Sequence, residues 1–334
     1  MCRKWPAMPA STITSDHPAL QAQAVLAGRR CMPPAGLAVQ PLRKRSGSVL
    51  LLGAAILLWG ANWPVMKLGL GHVSPLWFSA ARFATGAACL FTWQALRGEV
   101  WWPQRRDLPR VASIGLFQMM LFTALGTVAM MHLPAGRSAI LSYTTPLWVL
   151  PVAVLVFGER IERRHWAGLG LAGLGVLVLL NPHAVDWGDG QVVGANAMLV
   201  AASLAWAVCI LHLRYGRASA SAIQLAPWQM LLAAATLAPL AYAVEGPFTG
   251  DGTAAFWACL GFVGPVATAF CFCAVNAASA RLPASATATL MMAVPVTGLA
   301  LSTATLHEDP SLDLIVGALA IVLGIAASAQ RSHP

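Results

Sequence analysis

Residues 133–180 read LPAGRSAILSYTTPLWVLPVAVLVFGERIERRHWAGLGLAGLGVLVLL, and residues 282–329 read LPASATATLMMAVPVTGLALSTATLHEDPSLDLIVGALAIVLGIAASA. Laid over each other without a gap, at an offset of 149, they agree at 11 of 48 positions. Leu133, Pro134 and Ala135 fall on Leu282, Pro283 and Ala284; Pro146 falls on Pro295, Glu159 on Glu308, Gly168 on Gly317 and Gly175 on Gly324. Ala139, Leu141, Leu150 and Leu174 complete the set. About 4 agreements are expected by chance in a chain so rich in Ala and Leu, so the match reads as an internal repeat. Trp59 and Trp206 stand at similar places near the start of each half.

Both copies lie in a chain that is 58% hydrophobic and 10% charged, with a mean hydropathy of +0.68. Soluble domains carry roughly 25% charged residues because their surface faces water; this chain lacks the polar surface to do so, and lipid is the solvent that suits it. A helix crossing about 30 Å of hydrocarbon needs about 20 largely apolar residues. Ten stretches approach that length: 48–69, 75–96, 110–131, 137–157, 164–181, 192–213, 222–243, 255–277, 284–305 and 312–329. The fold expected is an all-α membrane protein of ten transmembrane helices, arranged as two inverted five-helix repeats at 46–181 and 192–330.

The formal charge of +9, from 21 Lys+Arg against 12 Asp+Glu, could suggest nucleic acid. The basic residues instead cluster between apolar runs in the pattern of cytoplasmic loops. With a cytoplasmic N-terminus, the inner segments carry Arg43–Arg45, Arg97, Arg105, Arg106, Arg110, Arg160, Arg163, Arg164, Arg214, Arg217, Arg281 and Arg331. The outer loops carry Asp186, Asp189, Glu245, Asp251, Glu308, Asp309 and Asp313. Both termini are therefore expected inside the cell (inner) membrane. Five spans per repeat is an odd number, so the second copy must enter the membrane upside down. Inverted repeats are a mark of transporters, in which two related halves exchange conformations around a central site.

Residues 1–45 contain Pro6, Pro9, Pro18, Pro33, Pro34 and Pro41 and no long apolar run. They lack the h-region of a secretory signal, and the expectation is a disordered cytoplasmic tail or an over-extended start of translation. Of seven cysteines, five lie in apolar runs, and no spacing suits a metal. Gly168-x-Gly170-x-x-Gly173 spells the dinucleotide fingerprint, but that motif needs a strand-to-helix turn; inside an apolar span, small residues allow close helix approach.

The first copy carries Leu58-Trp59-Gly60-Ala61-Asn62-Trp63, then Lys67, Pro75, Ala81-Arg82-Phe83, Pro146, Phe157-Gly158-Glu159-Arg160 and Gly168. In that order and spacing it resembles the ten-span EamA-type proteins of the drug/metabolite transporter (DMT) superfamily, over roughly residues 48–330. The second copy departs: it has Leu306-His307-Glu308, no evident counterpart of Arg82, and Trp206 without the following Gly-x-Asn. The resemblance implies a ten-helix bundle with a central cavity, and secondary export of amino acids or related small metabolites and drugs.

Charges within spans are costly and mark function or structure. Arg82 is a candidate anchor for an anionic group of a solute, or a ligand of helix-end carbonyls; Lys67 lies near a span end and can snorkel. Trp59, Asn62 and Lys67 form a polar and aromatic stripe on the first helix, and a substrate is one candidate for the partner that its polar groups need. Gln118 and Asn276 are isolated polar residues in spans expected near the cavity and are candidate substrate contacts, and Trp59, Trp63, Tyr143, Trp148 and Trp206 could line an aromatic pocket; packing or helix–helix bonding explains each comparably well. Pro146, Pro295, Glu159 and Glu308 are candidate structural or gating residues. No span core holds a carboxylate, which gives proton coupling little support. The partners expected are a small-molecule substrate and membrane lipid, without nucleic acid or cofactor, for a monomer or homodimer. A membrane-embedded enzyme or sensor without transport activity is the alternative; an enzyme would need clustered His, Asp or Glu at one membrane face, and none is apparent.

Overall fold

Backbone N–H and C=O groups in hydrocarbon must bond within their own segment, which makes helix the natural form of such a chain. A computed structural model describes residues 42–329, except 160–161, 182–184, 216–218, 280, 283–286 and 288–289. The expected N-terminal tail up to residue 41, and the repeat positions Pro283, Ala284 and Ala288, lie outside the described residues.

Every regular element among the described residues is a helix. In chain order these are α1 (Leu42–Gly69), α2 (Pro75–Leu96), α3 (Leu108–Ala129), α4 (Ala135–Ser142), α5 (Pro146–Leu155), α6 (Arg163–Leu179), α7 (Gly190–Tyr215), α8 (Ala222–Glu245), α9 (Ala254–Ser279), α10 (Ala293–Leu306) and α11 (Leu312–Ala329). Their starts follow local chemistry. Pro75 sits in the first turn of α2, where its missing N–H costs nothing. Ser221 and Gln224 form a capping box on α8, and the Thr253 hydroxyl accepts from the Phe256 amide at the start of α9.

Among the described residues, six helices are long and apolar enough to cross a membrane by length and composition: Gly47–Gly69 of α1, α3, the joined α4–α5 stretch Ala135–Leu155, α7, α8 and α9. Two shorter apolar helices end the chain, Ala293–Leu306 and Leu312–Ala327. The remaining expected spans fall short on that measure for visible reasons. α6 has 17 residues and opens on Arg163-Arg164-His165, while α2 carries Arg82 and Gln94.

Corresponding helices of the two sequence repeats pack against each other. On α6 and α11, a Cβ on Gly175 would lie 2.7 Å from the Gly317 carbonyl oxygen, and Gly324 abuts the Gly168 carbonyl. One helix rises as the other descends. The offset of 149 turns each of these contacts into the other. α2 and α8 run antiparallel in the same way: Gln94 Nε2 donates to the Ile223 carbonyl at one end, and the Leu76 amide donates to Glu245 at the other. Between them lie Phe83, Ala87 and Leu90 against Ala226, Met230, Ala233 and Leu237.

α3 and α9 each contain a nine-residue π-helical segment, Ser113–Leu121 and Phe262–Phe270. These also lie 149 residues apart. Such wide turns free carbonyls from the regular ladder and are common at functional sites. Arg137 is buried near the start of α4, donating from Nε to Asn196 Oδ1 (3.0 Å) and from Nη2 to the Leu179 carbonyl (2.6 Å), which ties α4 to α7 and α6.

Candidate functional site

The two π-helical segments face a cavity between α1, α2, α3, α7, α8 and α9. α1 brings Trp59, Asn62, Trp63 and Met66 to it, at the i, i+3, i+4, i+7 spacing of one helix face. α2 adds Arg82 and Phe83, α3 adds Gln118, Met119 and Phe122, and the bend between α4 and α5 adds Tyr143. The second half supplies Trp206, Met230, Ala267, Thr268 and Phe272. Gln118 and Ala267, and Met119 and Thr268, are again pairs at the repeat offset.

Among the described residues, Arg82 is the one charged residue lining this cavity. Its Nε donates to the Thr268 hydroxyl at 2.7 Å, and its Nη1 lies 3.0 Å from Met66 Sδ. Thr268 in turn donates to the Val263 carbonyl five residues back (2.6 Å), so the π-turn of α9 holds the guanidinium in place. The Phe83 ring lies 5.6 Å from the guanidinium carbon. Asn62 Nδ2 reaches the same Met66 sulfur at 2.9 Å, and Asn62 Oδ1 is buried with no partner among the described residues. The aromatic wall is tied together by direct contacts: Trp59 Nε1 donates to the Ala267 carbonyl at 2.6 Å, and Trp206 meets Tyr143 and Phe122 edge-on at 5.4 and 5.2 Å.

Trp59, Asn62, Arg82, Gln118, Tyr143 and Trp206 thus share one cavity. The other residues singled out in the sequence lie elsewhere. The Lys67 ammonium donates to the carbonyls of Met130 and Leu133, past the end of α3. Trp148 donates from Nε1 to Ser203 Oγ at 2.8 Å and lines a separate apolar recess with Trp187. Asn276 bonds back to the Phe272 carbonyl of its own helix at 2.7 Å. Pro146 opens α5 after the Tyr143–Thr145 break, and Pro295 lies in the first turn of α10.

The paired glutamates have different partners. Glu308 accepts from the amides of Ala135 (2.7 Å) and Gly136 (3.0 Å) at the start of α4, where the helix dipole favours an anion. Glu159 accepts from Arg214 Nη2 (2.7 Å) and the Tyr215 hydroxyl, and Phe157 stacks on the Tyr215 ring at 3.7 Å. Met66 and Thr268 also line the cavity, although no sequence motif names either of them. Helical spacing could have found Met66, four residues beyond Asn62 on the same face. It could not have found Thr268, because only the fold brings that residue 186 positions across to Arg82.

The EamA-like transporter family matches the chain twice, over residues 45–181 and 194–329. The chain is 26% identical over 270 residues to the uncharacterized transporter YoaV of Bacillus subtilis, covering 80% of this chain and 92% of that protein. It is 28% identical over 280 residues to a protein named "Probable terminal-alkyne amino-acid exporter" from Streptantibioticus cattleyicolor, covering 83% and 92%. A solved crystal structure shares the fold, with a TM-score of 0.61 and 22% identity over 85% of this chain and 98% of that one. On both of its halves, the chain belongs to the EamA-like transporter family.

Proposed function

We propose that this protein is a secondary transporter that exports an amino acid or related small metabolite by alternating access around the Arg82 cavity. In this reading ten helices cross the inner membrane, both termini are cytoplasmic, and the halves 46–181 and 192–330 enter in opposite orientations, with residues 1–45 as a cytoplasmic tail. The observation that carries it is a single cavity walled by matching segments of two related halves, the π-helical stretches 149 residues apart among them. The antiparallel pairing of α6 with α11 and of α2 with α8 supports inversion, since a two-fold axis in the membrane plane reverses each helix it copies. The exporter name of the Streptantibioticus relative supports the substrate class and the direction.

In the proposed cycle the halves rock about the cavity, and Glu308 on the α4 N-terminus is a contact made and broken at the outer face. Glu159 takes the corresponding part inside. Trp59, Asn62, Arg82, Gln118, Tyr143 and Trp206 contact the solute, while Lys67 and Trp148 hold neighbouring helices and Asn276 bonds within its own. Efflux of labelled amino acids and related metabolites from cells with and without the protein tests the reading. Faster loss of at least one solute is expected; equal loss across the panel contradicts it.

A further inference from the structure

Two strong donors in the cavity converge on a weak acceptor. Arg82 Nη1 and Asn62 Nδ2 stand 3.0 and 2.9 Å from Met66 Sδ. A thioether accepts weakly, whereas a guanidinium in apolar surroundings needs an ionised, hydrogen-bonded partner to offset its desolvation. Among the described residues Arg82 forms no ion pair, and no Asp or Glu lines the cavity. Methionine is unbranched and turns easily among rotamers, so its sulfur can leave this point without moving α1. Asn62 is 7% exposed, and its Oδ1 has no partner among the described residues.

From this geometry we propose that the point held by Met66 Sδ is a carboxylate subsite, and that the cavity prefers a small organic monoanion to a zwitterion. The preferred ligand has one carboxylate, an apolar body and a neutral donor beside the carboxylate. The inference rests on the reading that this cavity is the transport site, and it narrows the solute to one charge class. Among the described residues, the lining of the cavity carries one positive charge, that of Arg82. A monoanion leaves the loaded site neutral, with its carboxylate receiving Arg82 Nη1 and Asn62 Nδ2 together. A zwitterion leaves the positive charge uncancelled and adds an ammonium with no carboxylate to face it. A neutral hydroxyl can donate to Asn62 Oδ1 without adding charge. Trp59, Trp63, Phe122 and Trp206 receive the apolar body.

The test is binding to the purified full chain by thermal shift and tryptophan fluorescence, using probes with one phenyl body. These are 3-phenyllactate, its methyl ester, 3-phenylpropionate, phenylalanine and 2-phenylethylamine. 3-Phenyllactate is expected to bind tightest and 3-phenylpropionate next, each about tenfold or more tighter than phenylalanine, a step of about 1.4 kcal/mol. The ester and the amine are expected to fail. Phenylalanine or the amine matching 3-phenyllactate, or the ester retaining its affinity, overturns the proposal. Asn62→Asp sets a carboxylate beside Arg82, so 3-phenyllactate should lose about tenfold relative to phenylalanine; an unchanged preference overturns the charge argument. If Asn62→Asp does not fold, the ester comparison on the native chain decides. Vesicle uptake separates the two readings. 3-Phenyllactate bound but never moved contradicts transport and leaves the subsite standing; another solute moved, with no carboxylate probe bound, contradicts the subsite and leaves transport standing.

Discussion

Arg82, half-buried, and Asp107, fully buried, show how differently two charges are accommodated. Arg82 has a hydroxyl, a thioether and a ring face around it, and the fold leaves its charge uncancelled among the described residues. Asp107, fully buried between α2 and α3, accepts from the amides of Gln104 (3.1 Å), Ser219 (2.8 Å) and Ala220 (3.2 Å) and from the Ser219 hydroxyl (2.8 Å). Burial taken alone would raise its pKa; the bonds from Ser219, Gln104 and Ala220 outweigh it and hold the carboxyl below the ordinary carboxylate range. Because the folded pKa is the lower one, this stabilisation is present above the unfolded value of about 3.9 and is lost as pH falls through the folded pKa. Asp107→Asn is therefore expected to lower the melting temperature at neutral pH and to flatten its decline below about pH 4. Melting curves of both proteins in detergent check this, and parallel acid declines would contradict it. Sequence alone puts Asp107 in a loop between spans and says no more, since its partners Ser219 and Ala220 lie 112 and 113 residues away. By contrast the stripe Trp59, Asn62, Trp63, Met66 is mostly legible, because a helix face depends on local spacing alone. Lys67 fits that spacing too, but its ammonium bonds to carbonyls beyond α3, which no local pattern reveals.

Among the elements, α6 and α11 depend most visibly on what their sequences omit. A Cβ on Gly175, Gly317 or Gly324 would overlap the facing helix, while among the described residues a Cβ on Gly173 would meet nothing within 4 Å. Gly175→Leu is expected to destabilise the protein by about 1–3 kcal/mol, the usual range for overpacking. Gly173→Leu, two residues earlier on the same helix, should leave stability unchanged. Thermal denaturation and folded yield of the two variants provide the check, and equal behaviour would contradict the crossing. These glycines make the repeat legible in the amino-acid order itself, because close helix approach requires small residues at fixed positions. The π-helical segments leave no such trace: widening a turn keeps the apolar pattern of a span intact, so nothing local marks Thr268 and Met119 as facing the cavity.

At the scale of the whole molecule, the apolar runs, the basic loops and the repeat already outline a helical membrane protein with two related halves. Six helices meet the length and hydropathy of a span among the described residues, because several of the expected spans are short, begin on charges or carry Arg82. The proposed inverted topology has its own test. Single cysteines at Gly250, between α8 and α9, and at Gln104, between α2 and α3, on a background without the native cysteines, should label oppositely with an impermeant maleimide. Gly250→Cys is expected to react on intact cells and Gln104→Cys only after the membrane is opened; reaction of both from the same side would contradict inversion.

The most direct measurement of the central claim is solute movement through reconstituted vesicles holding either the native chain or Arg82→Ala. Efflux of a labelled amino-acid-type metabolite or carboxylate is followed against protein-free vesicles, with membrane insertion of both proteins verified. The account predicts movement by the native protein and its loss, by about tenfold or more, in Arg82→Ala at equal insertion, since a missing charge-assisted contact amounts to about 1.5–3 kcal/mol. Movement by Arg82→Ala at the native rate would contradict the role given to the cavity, and no movement of any solute by the native protein would contradict transport itself.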